Sequence, residues 1–131
     1  MLAVAFIKDK NGKYLIQKTS KEKGSKYSTT GGHVTKGEDG ISTIIRELKE
    51  ELGFDISKDQ LVFIDKVKYP TKPCIFNIYE LTIDNIDLDS IKLQKDEVEF
   101  VTLLTKEKIN KIIDEGNFLE THGYIFKNYI E

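Results

Sequence analysis

The chain has 131 residues, of which 39% are hydrophobic and 32% charged, the composition of one folded domain over residues 1–131. A net charge of −2 counts against a nucleic-acid partner, and the single cysteine, Cys74, excludes an intrachain disulfide and fits a reducing compartment. The N-terminus lacks the features of a signal peptide, and no apolar run approaches the roughly 18 residues of a membrane span. We therefore expect a cytoplasmic protein with no membrane partner.

The N-terminal segment predicts a β-hairpin and a glycine-containing loop. The apolar stretches "LAVAFI" and "KYLIQKT" flank Asn11-Gly12, a pair typical of hairpin turns. The polar stretch "KEKGSKYS" predicts a loop, which leads to Gly31 and Gly32 and then to a short extended piece at His33-Val34. The two adjacent glycines permit a close approach of the backbone to a ligand and free a carbonyl to face it.

A helix is predicted next, from about Ile41 to Leu52. Asp39 can cap its N-terminus, and Gly53 stands where a C-cap glycine belongs. At about 100° per residue its apolar side chains form one stripe. The members of this stripe are Ile41, Ile44, Ile45, Leu48 and Leu52. We expect this stripe to face the core.

The C-terminal half predicts three more strands and two helices. The stretches "LVFIDKVKY", "CIFNIYELTI" and "EVEFVTLL" are rich in β-branched and aromatic residues. The stretch "TKEKINKIIDEG" is amphipathic with a helical period, and "FLETHGYIFKNYIE" predicts a last helix that Gly123 weakens. Strands and helices are interspersed, and the hairpins argue against a purely parallel sheet. The predicted class is α/β with a mixed sheet.

The face of the predicted helix opposite the apolar stripe is acidic. Glu47, Glu50 and Glu51 lie at spacings of three and four, so their side chains converge. Arg46 precedes Glu50 by one turn and can pair with it, whereas Lys49 points away. One interpretation is a solvated surface with a few ion pairs. The other is a site for a hard divalent cation such as Mg²⁺, which takes oxygen ligands and bridges to phosphates. Glu38, before the helix, could steady the loop or add to the metal shell.

The spacing of these residues is specific to a known motif. It reads Gly32, five residues, Glu38, seven residues, then Arg46, Glu47, Leu48, Lys49, Glu50, Glu51, Leu52, Gly53 and Phe54. This stretch matches every fixed position of the Nudix box, so the chain resembles the Nudix hydrolase family, which is MutT-like. Relatives often carry Pro where Thr30 stands and Trp near the last strand, where Phe100 is the candidate replacement; these departures affect loop geometry and substrate fit.

The resemblance implies an α/β/α sandwich, a mixed β-sheet between helices. It implies Mg²⁺-dependent hydrolysis, with Mn²⁺ as a substitute metal, of the pyrophosphate linkage in a nucleoside diphosphate linked to another moiety, such as an NTP or ADP-ribose. The partner would be a small-molecule nucleotide, and because homodimers are common in the family, a second copy of the chain is a further candidate. The alternatives are a non-catalytic nucleotide-sensing domain and an RNA-end pyrophosphohydrolase.

The resemblance also assigns roles by position. Glu50 and Glu51 would be the principal metal ligands, completed by the carbonyl of Gly31. Glu47 would share the metal shell or assist the base, and Arg46 would orient the glutamates through ion pairs. Glu38 would support the loop or bind a further metal. These residues, with Glu47, Glu50 and Arg46 as the catalytic members, form the predicted site.

Four further residues are predicted to take part in catalysis or substrate binding without binding the metal. Some relatives place the general base on a later loop, where Glu97 is the first choice; a solvated strand-edge carboxylate is the other interpretation. Gly32 and His33 directly follow Gly31 in the chain, at the edge of the expected cleft, and are candidate substrate contacts. Tyr69 stands where some dinucleoside-polyphosphate relatives carry a Tyr and is a candidate substrate contact too, although packing in the core is the simpler interpretation of its position.

Overall fold

The computed structural model describes residues 1–94 and 96–131. In that part of the chain, seven strands and three α-helices follow one another. The strands are β1 (Leu2–Lys8), β2 (Tyr14–Thr19), β3 (Tyr27–Ser28), β4 (Thr30–His33), β5 (Leu61–Lys68), β6 (Ile75–Thr82) and β7 (Val98–Leu104). The helices are α1 (Gly40–Leu52), α2 (Lys106–Asp114) and α3 (Glu120–Ile125), and α3 continues as a π-helical turn over Phe126–Ile130. Every predicted strand and helix is present, with boundaries that differ by a few residues.

The strands form one mixed sheet, with β1 at its centre. The order along the main path is β3-β2-β1-β6-β5, while β4 pairs with β1 and β7 pairs with β2. The β1–β6 pair is parallel, and the pairs of β1 with β2 and β4 are antiparallel. A parallel pair needs a crossover connection, and α1 lies within the chain that connects β1 to β6.

Both faces of the sheet are covered by helices. Successive side chains of a strand point to opposite faces, and β1 places Val4 and Phe6 in one hydrophobic cluster and Ala3, Ala5 and Ile7 in the other. The first cluster includes side chains of α2 and α3, and the second includes those of α1. This layering is the predicted α/β/α sandwich.

Helix α1 begins and ends where its capping residues predict. The Asp39 carboxylate accepts a hydrogen bond from the backbone N–H of Ser42 at 2.8 Å, and Gly53 has φ +74°, the left-handed conformation of a C-cap glycine. The predicted apolar stripe is wrong in one respect. Thr43 is fully buried, whereas Ile45 is only partly buried. The Thr43 hydroxyl donates to the carbonyl of Asp39 at 3.0 Å, so its burial leaves no polar group unpaired.

Gly123 has a packing role in the C-terminal helical segment. A Cβ atom at this position would lie 3.3 Å from Cγ1 of Ile113, so the glycine lets α3 approach α2 closely. The sequence predicted only that it would weaken the helix. In the described part of the chain, no helix has the length and apolar character needed to cross a membrane.

Candidate active site

The candidate site forms where β4 enters the loop that precedes α1. Gly32 of β4 packs directly against Glu47 of α1: a Cβ atom on Gly32 would lie 2.8 Å from Oε1 of Glu47. Such a distance is too short for any residue except glycine unless the glutamate moves. The close approach of strand and helix therefore depends on this glycine, and it brings the backbone of Gly31 and Gly32 to the acidic face of α1.

Arg46 organises one end of the acidic face through a fork of ion pairs. Its Nε and Nη2 donate to the two carboxylate oxygens of Glu38 at 3.1 and 3.2 Å. Its Nη1 donates to Glu47 Oε1 at 2.9 Å and to Glu50 Oε2 at 3.5 Å. The pair with Glu50 that the helical spacing predicted is present, but it is the longest of the four. The guanidinium thus holds three carboxylates in fixed relation.

Glu38 is held as an anion at this end of the site. It accepts a hydrogen bond from the hydroxyl of Thr35 at 2.7 Å in addition to those from Arg46, and at 3.1 Å it shares the single hydroxyl proton of Thr43 with the carbonyl of Asp39. The bonds from Arg46, followed by the one from Thr35, lower the pKa of Glu38 from 4.5 to about 2. Of the two roles predicted for Glu38, these contacts correspond to steadying the loop between β4 and α1.

Glu51 has the opposite surroundings. Its carboxyl is mostly buried, and its charged neighbours are the carboxylates of Glu47, Glu97 and Glu50. Burial, followed by the hydrogen bond with Glu47 and repulsion from these neighbours, raises the pKa of Glu51 from 4.5 to about 9. Without a cation nearby, this carboxyl keeps its proton at neutral pH. A carboxylate-rich pocket that holds a proton in this way has a place for a positive charge.

A cavity of about 470 Å³ connects the predicted residues. Its lining consists of Gly31, Gly32, His33, Thr35, Arg46, Glu47, Glu50, Glu51, Gln94 and Glu97. Glu97 comes from the turn before β7 and is brought to the cavity by the pairing of β7 with β2. Its Oε1 lies 3.4 Å from the Lys23 ammonium. The fold therefore collects residues from four separate segments around one opening.

The donor set of this cavity fits a hard divalent cation. Carboxylate and carbonyl oxygens are the ligands that Mg²⁺ takes, and in the described part of the chain the charged groups that raise the pKa of the mostly buried Glu51 carboxyl are all carboxylates. Within residues 1–94 and 96–131, no three acidic, histidine or cysteine side chains already stand as a closed metal-binding group.

The remaining predicted contacts separate into two groups. His33 is exposed and lines the cavity with Gly31 and Gly32. Tyr69 does not: it is 5% exposed within the cluster that packs against α2 and α3, and its hydroxyl donates to Glu120 at 3.1 Å. The prediction that Tyr69 contacts substrate is therefore corrected to a core position. Its aromatic ring supplies apolar area that the sheet buries, as the simpler interpretation expected.

A second cavity, of about 400 Å³, adjoins the first. The two share the lining residues Gly31, Gly32, His33, Glu51 and Glu97. The second also contains His122 of α3, which was not among the predicted site residues. His122 is 8% exposed, its Nδ1 accepts the backbone N–H of Thr29 at 3.2 Å, and burial lowers its pKa from 6.5 to about 4. No sequence signal connects it to the glycines, because the contact depends on how α3 packs.

An α/β/α sandwich with a glycine loop and a glutamate-rich helix around one cleft defines the class of Nudix-type hydrolases. A family model described as the NUDIX domain matches residues 2–122, and the chain belongs to this family. It is thus a hydrolase of a family that acts on pyrophosphate bonds.

Three proteins are similar to this chain, one by sequence and two by fold. The uncharacterized Nudix hydrolase lin0387 of Listeria innocua is 30% identical over 93% of this chain and 71% of its own length. The crystal structure of DR0079 from Deinococcus radiodurans superposes with a TM-score of 0.81 at 19% identity, covering 99% of this chain and 81% of that one. A bifunctional NMN adenylyltransferase/ADP ribose pyrophosphatase from Francisella tularensis, complexed with AMP and a manganese ion, superposes with a TM-score of 0.76 at 21% identity, over 96% and 39% of the two chains.

Proposed function

We propose that the protein hydrolyses the pyrophosphate linkage of a nucleoside diphosphate joined to another moiety, with Mg²⁺ or Mn²⁺ as cofactor. The observation that carries this proposal is the position of Glu51. It lies in a cavity lined by further carboxylates and by the glycine backbone, where a cation would replace the proton that it otherwise holds. The cavity volume of about 470 Å³ is sufficient for a diphosphate with its metal shell.

The metal would be held by Glu47, Glu50 and Glu51 with the carbonyl of Gly31. When bound, it would neutralise the diphosphate, orient it and lower the pKa of a bound water. Arg46 would keep Glu47 and Glu50 in place through the ion pairs at 2.9 and 3.5 Å. These pairs fix the direction of the carboxylates before substrate arrives, so that little reorganisation remains for the reaction.

Glu97 would accept the proton of the attacking water. It lines both cavities, so its carboxylate faces the place where a substrate crosses from one to the other. Its side chain is 40% exposed, so a water in the cavity can reach its carboxylate. Glu47 is the second candidate for this role, because Arg46 and the backbone of Gly32 hold it in place against the same cavity.

The Francisella protein supports the substrate class. It is described as an ADP ribose pyrophosphatase and binds AMP and manganese. ADP-ribose is a nucleoside diphosphate joined to a second sugar, and the two adjoining cavities of this chain have room for the two parts of such a molecule. We include NTPs in the same class, because the diphosphate end of either substrate would occupy the acidic cavity.

A hydrolysis panel tests the proposal. It contains NTPs, oxidised NTPs, ADP-ribose, NDP-sugars, dinucleoside polyphosphates and 5′-triphosphorylated RNA, each with Mg²⁺, with Mn²⁺ and with EDTA. We expect turnover of at least one small nucleotide that EDTA abolishes. Glu50→Gln should lose that activity, whereas Glu115→Gln, an exposed carboxylate on the far side of α2, should keep it. Absence of turnover across the panel contradicts the enzymatic proposal, and full activity of Glu50→Gln contradicts the metal assignment.

A further inference from the structure

The side chain of His122 is largely buried, and its ring forms part of the wall of the second cavity. It is 8% exposed, and its recorded hydrogen bond among the described residues is the one from the backbone N–H of Thr29 to Nδ1. Nε2 has no such bond and lies beside the glycine loop, where a Cβ atom added to Gly31 would come within 3.2 Å of it. Among the described residues the fully buried side-chain polar atom without a partner is Asn110 Oδ1, so Nε2 of His122 keeps access to the cavity, where a ligand can pair with it.

The hydrogen bond to Thr29 determines which nitrogen carries the proton. A backbone N–H can only donate, so Nδ1 of His122 must be the acceptor and carries no hydrogen. The neutral ring then bears its hydrogen on Nε2. This conclusion does not depend on a choice of amide or ring orientation, because a flipped ring would present a carbon to the Thr29 N–H. His122 is therefore a fixed N–H donor at the wall of the second cavity.

The second cavity is suited to the organic part of a nucleotide. Apolar atoms of Leu2, Phe76 and Leu119 form part of its lining, and Lys23 and Lys72 contribute cationic side chains. Its volume of about 400 Å³ falls within the range of small-ligand pockets. Because it shares Gly31, Gly32 and Glu51 with the acidic cavity, a molecule whose phosphates lie among the carboxylates extends directly into it.

We infer that His122 is a substrate-contacting residue, which donates its Nε2 hydrogen to an acceptor atom of the nucleoside moiety bound in the second cavity. This inference rests on the proposed function, since it takes the substrate to be a nucleotide. It gives the last helical segment a part in recognition that the Nudix box does not contain. Gly31 permits this contact, because its missing side chain leaves space for the imidazole.

Two substitutions distinguish a substrate contact from a structural role. The amide of asparagine reaches the position of Nδ1, so His122→Asn keeps an acceptor for Thr29 and loses the donor in the cavity. The amide of glutamine reaches the position of Nε2, so His122→Gln keeps that donor and loses the acceptor. For a substrate contact, His122→Asn raises KM about tenfold with little change in kcat, the loss of one hydrogen bond, and His122→Gln restores much of it. For a purely structural role the order is reversed: asparagine retains the melting temperature and KM, and glutamine does not.

Nuclear magnetic resonance provides a readout without turnover. The chain has two histidines, so long-range ¹H–¹⁵N spectra of the imidazoles are assigned with a single His33→Gln variant. The probes are AMP, GMP, CMP and UMP, each with Mg²⁺, and inorganic pyrophosphate with Mg²⁺ as the control for the acidic cavity. We expect at least one mononucleotide to shift the Nε2 signal of His122 and pyrophosphate to leave it unchanged.

The outcomes separate the two proposals. If no mononucleotide shifts the His122 signal, or if His122→Asn binds the mononucleotide at least as well as His122→Gln, the inference about His122 is wrong even when the hydrolysis panel shows turnover. If the mononucleotide shifts His122 but the panel shows no hydrolysis of any candidate, the proposed hydrolytic function fails and the binding contact stands.

Discussion

Glu38 and Glu51 belong to the same glutamate-rich motif, yet the fold gives them opposite electrostatic surroundings. Glu38 receives both arms of the Arg46 fork and two hydroxyl groups, and its pKa falls to about 2. Glu51 is buried against other carboxylates, and its pKa rises to about 9. Arg46 thus neutralises the end of the acidic face at Glu38, which we call the neutralised end. At the other end, which we call the Glu51 end, the described neighbours are carboxylates.

This difference explains why the motif contains a single arginine. Arg46 contacts Glu38, Glu47 and Glu50 but has no ion pair with Glu51 among the described residues. A second cation at the Glu51 end would relieve the repulsion and also occupy the space that a metal needs. Among the described residues the charged neighbours of Glu51 are carboxylates, and the Glu51 carboxyl holds its proton as a result.

The largest expected effect comes from removing the unsatisfied carboxylate. Glu51→Gln should lower kcat/KM with Mg²⁺ by at least about 100-fold, because losing even an outer-shell partner of a metal costs 10- to 100-fold. The same substitution should raise the melting temperature of the metal-free protein at pH 8, because it removes a buried carboxyl from among like charges. Steady-state kinetics and thermal melts with EDTA measure both. If the variant is inactive and also less stable than the unsubstituted protein at pH 8, then the buried Glu51 carboxyl does not destabilise the metal-free protein.

The second-largest loss of activity is expected when the ion pairs of Arg46 are removed. Arg46→Lys keeps one positive charge but loses the fork that contacts three carboxylates, so we expect a fall in kcat/KM of about 10- to 100-fold and a weaker apparent affinity for Mg²⁺. Lys49→Arg is the matched control, since Lys49 lies on the same helix and pairs with the exposed Asp55. Equal activities of the two variants would mean that charge alone, without the fork, is sufficient.

The pH dependence of stability should differ in sign between the two ends. Between pH 4.5 and about 9 the folded chain holds the Glu51 proton and the unfolded chain does not, so this group makes the free energy of unfolding fall as pH rises. Glu38 acts in the other direction: its contribution is present above pH 4.5 and is lost as pH falls toward 2. In metal-free melts, Glu51→Gln should lose the decline in stability that develops between pH 4.5 and about 9, and Glu38→Gln should lose the decline that develops as pH falls from 4.5 toward 2. An unchanged profile in either variant would exclude that residue as the cause.

The smallest effect is expected at the Lys23–Glu97 pair beside the Glu51 end. The two side chains are 51% and 40% exposed, and exposed ion pairs contribute about 0–1 kcal/mol. Lys23→Gln should therefore change the free energy of unfolding by less than about 1 kcal/mol, as measured by urea denaturation. A larger loss would show that Lys23 partly neutralises the carboxylates near Glu51. The electrostatic surroundings of Glu51 and Glu38 would then differ less than described above.

The sequence predicted the parts of the site that lie on one helix and missed those that depend on packing between distant segments. The spacing of Glu47, Glu50 and Glu51 fixes their convergence, and Asp39 and Gly53 fix the ends of α1, because these relations are local. The charges around Glu51 could not be predicted in the same way, because Glu97 comes close to Glu51 only when β7 pairs with β2.

The errors have the same origin. The side chain of Tyr69 turns into the core to reach Glu120, and Thr43 takes a buried place that an apolar stripe would give to Ile45. His122 stands among ordinary helix residues in the sequence, and only the docking of α3 against the β3–β4 segment places its ring beside Gly31. Periodicity reports which face a side chain occupies, but it carries no information about the partner that the face will meet.

The central position of β1 also sets the order in which the molecule can assemble during synthesis. Leu2 pairs in parallel with Phe76, so β1 cannot complete the middle of the sheet until β6, much later in the chain, has been synthesised. The apolar stripe of α1 needs Tyr79 and Leu81 of β6 to be covered, and Glu97 emerges later still. The carboxylates of Glu51 and Glu97 therefore come together only after β1 and β6 have paired, when the sheet can stabilise their close approach.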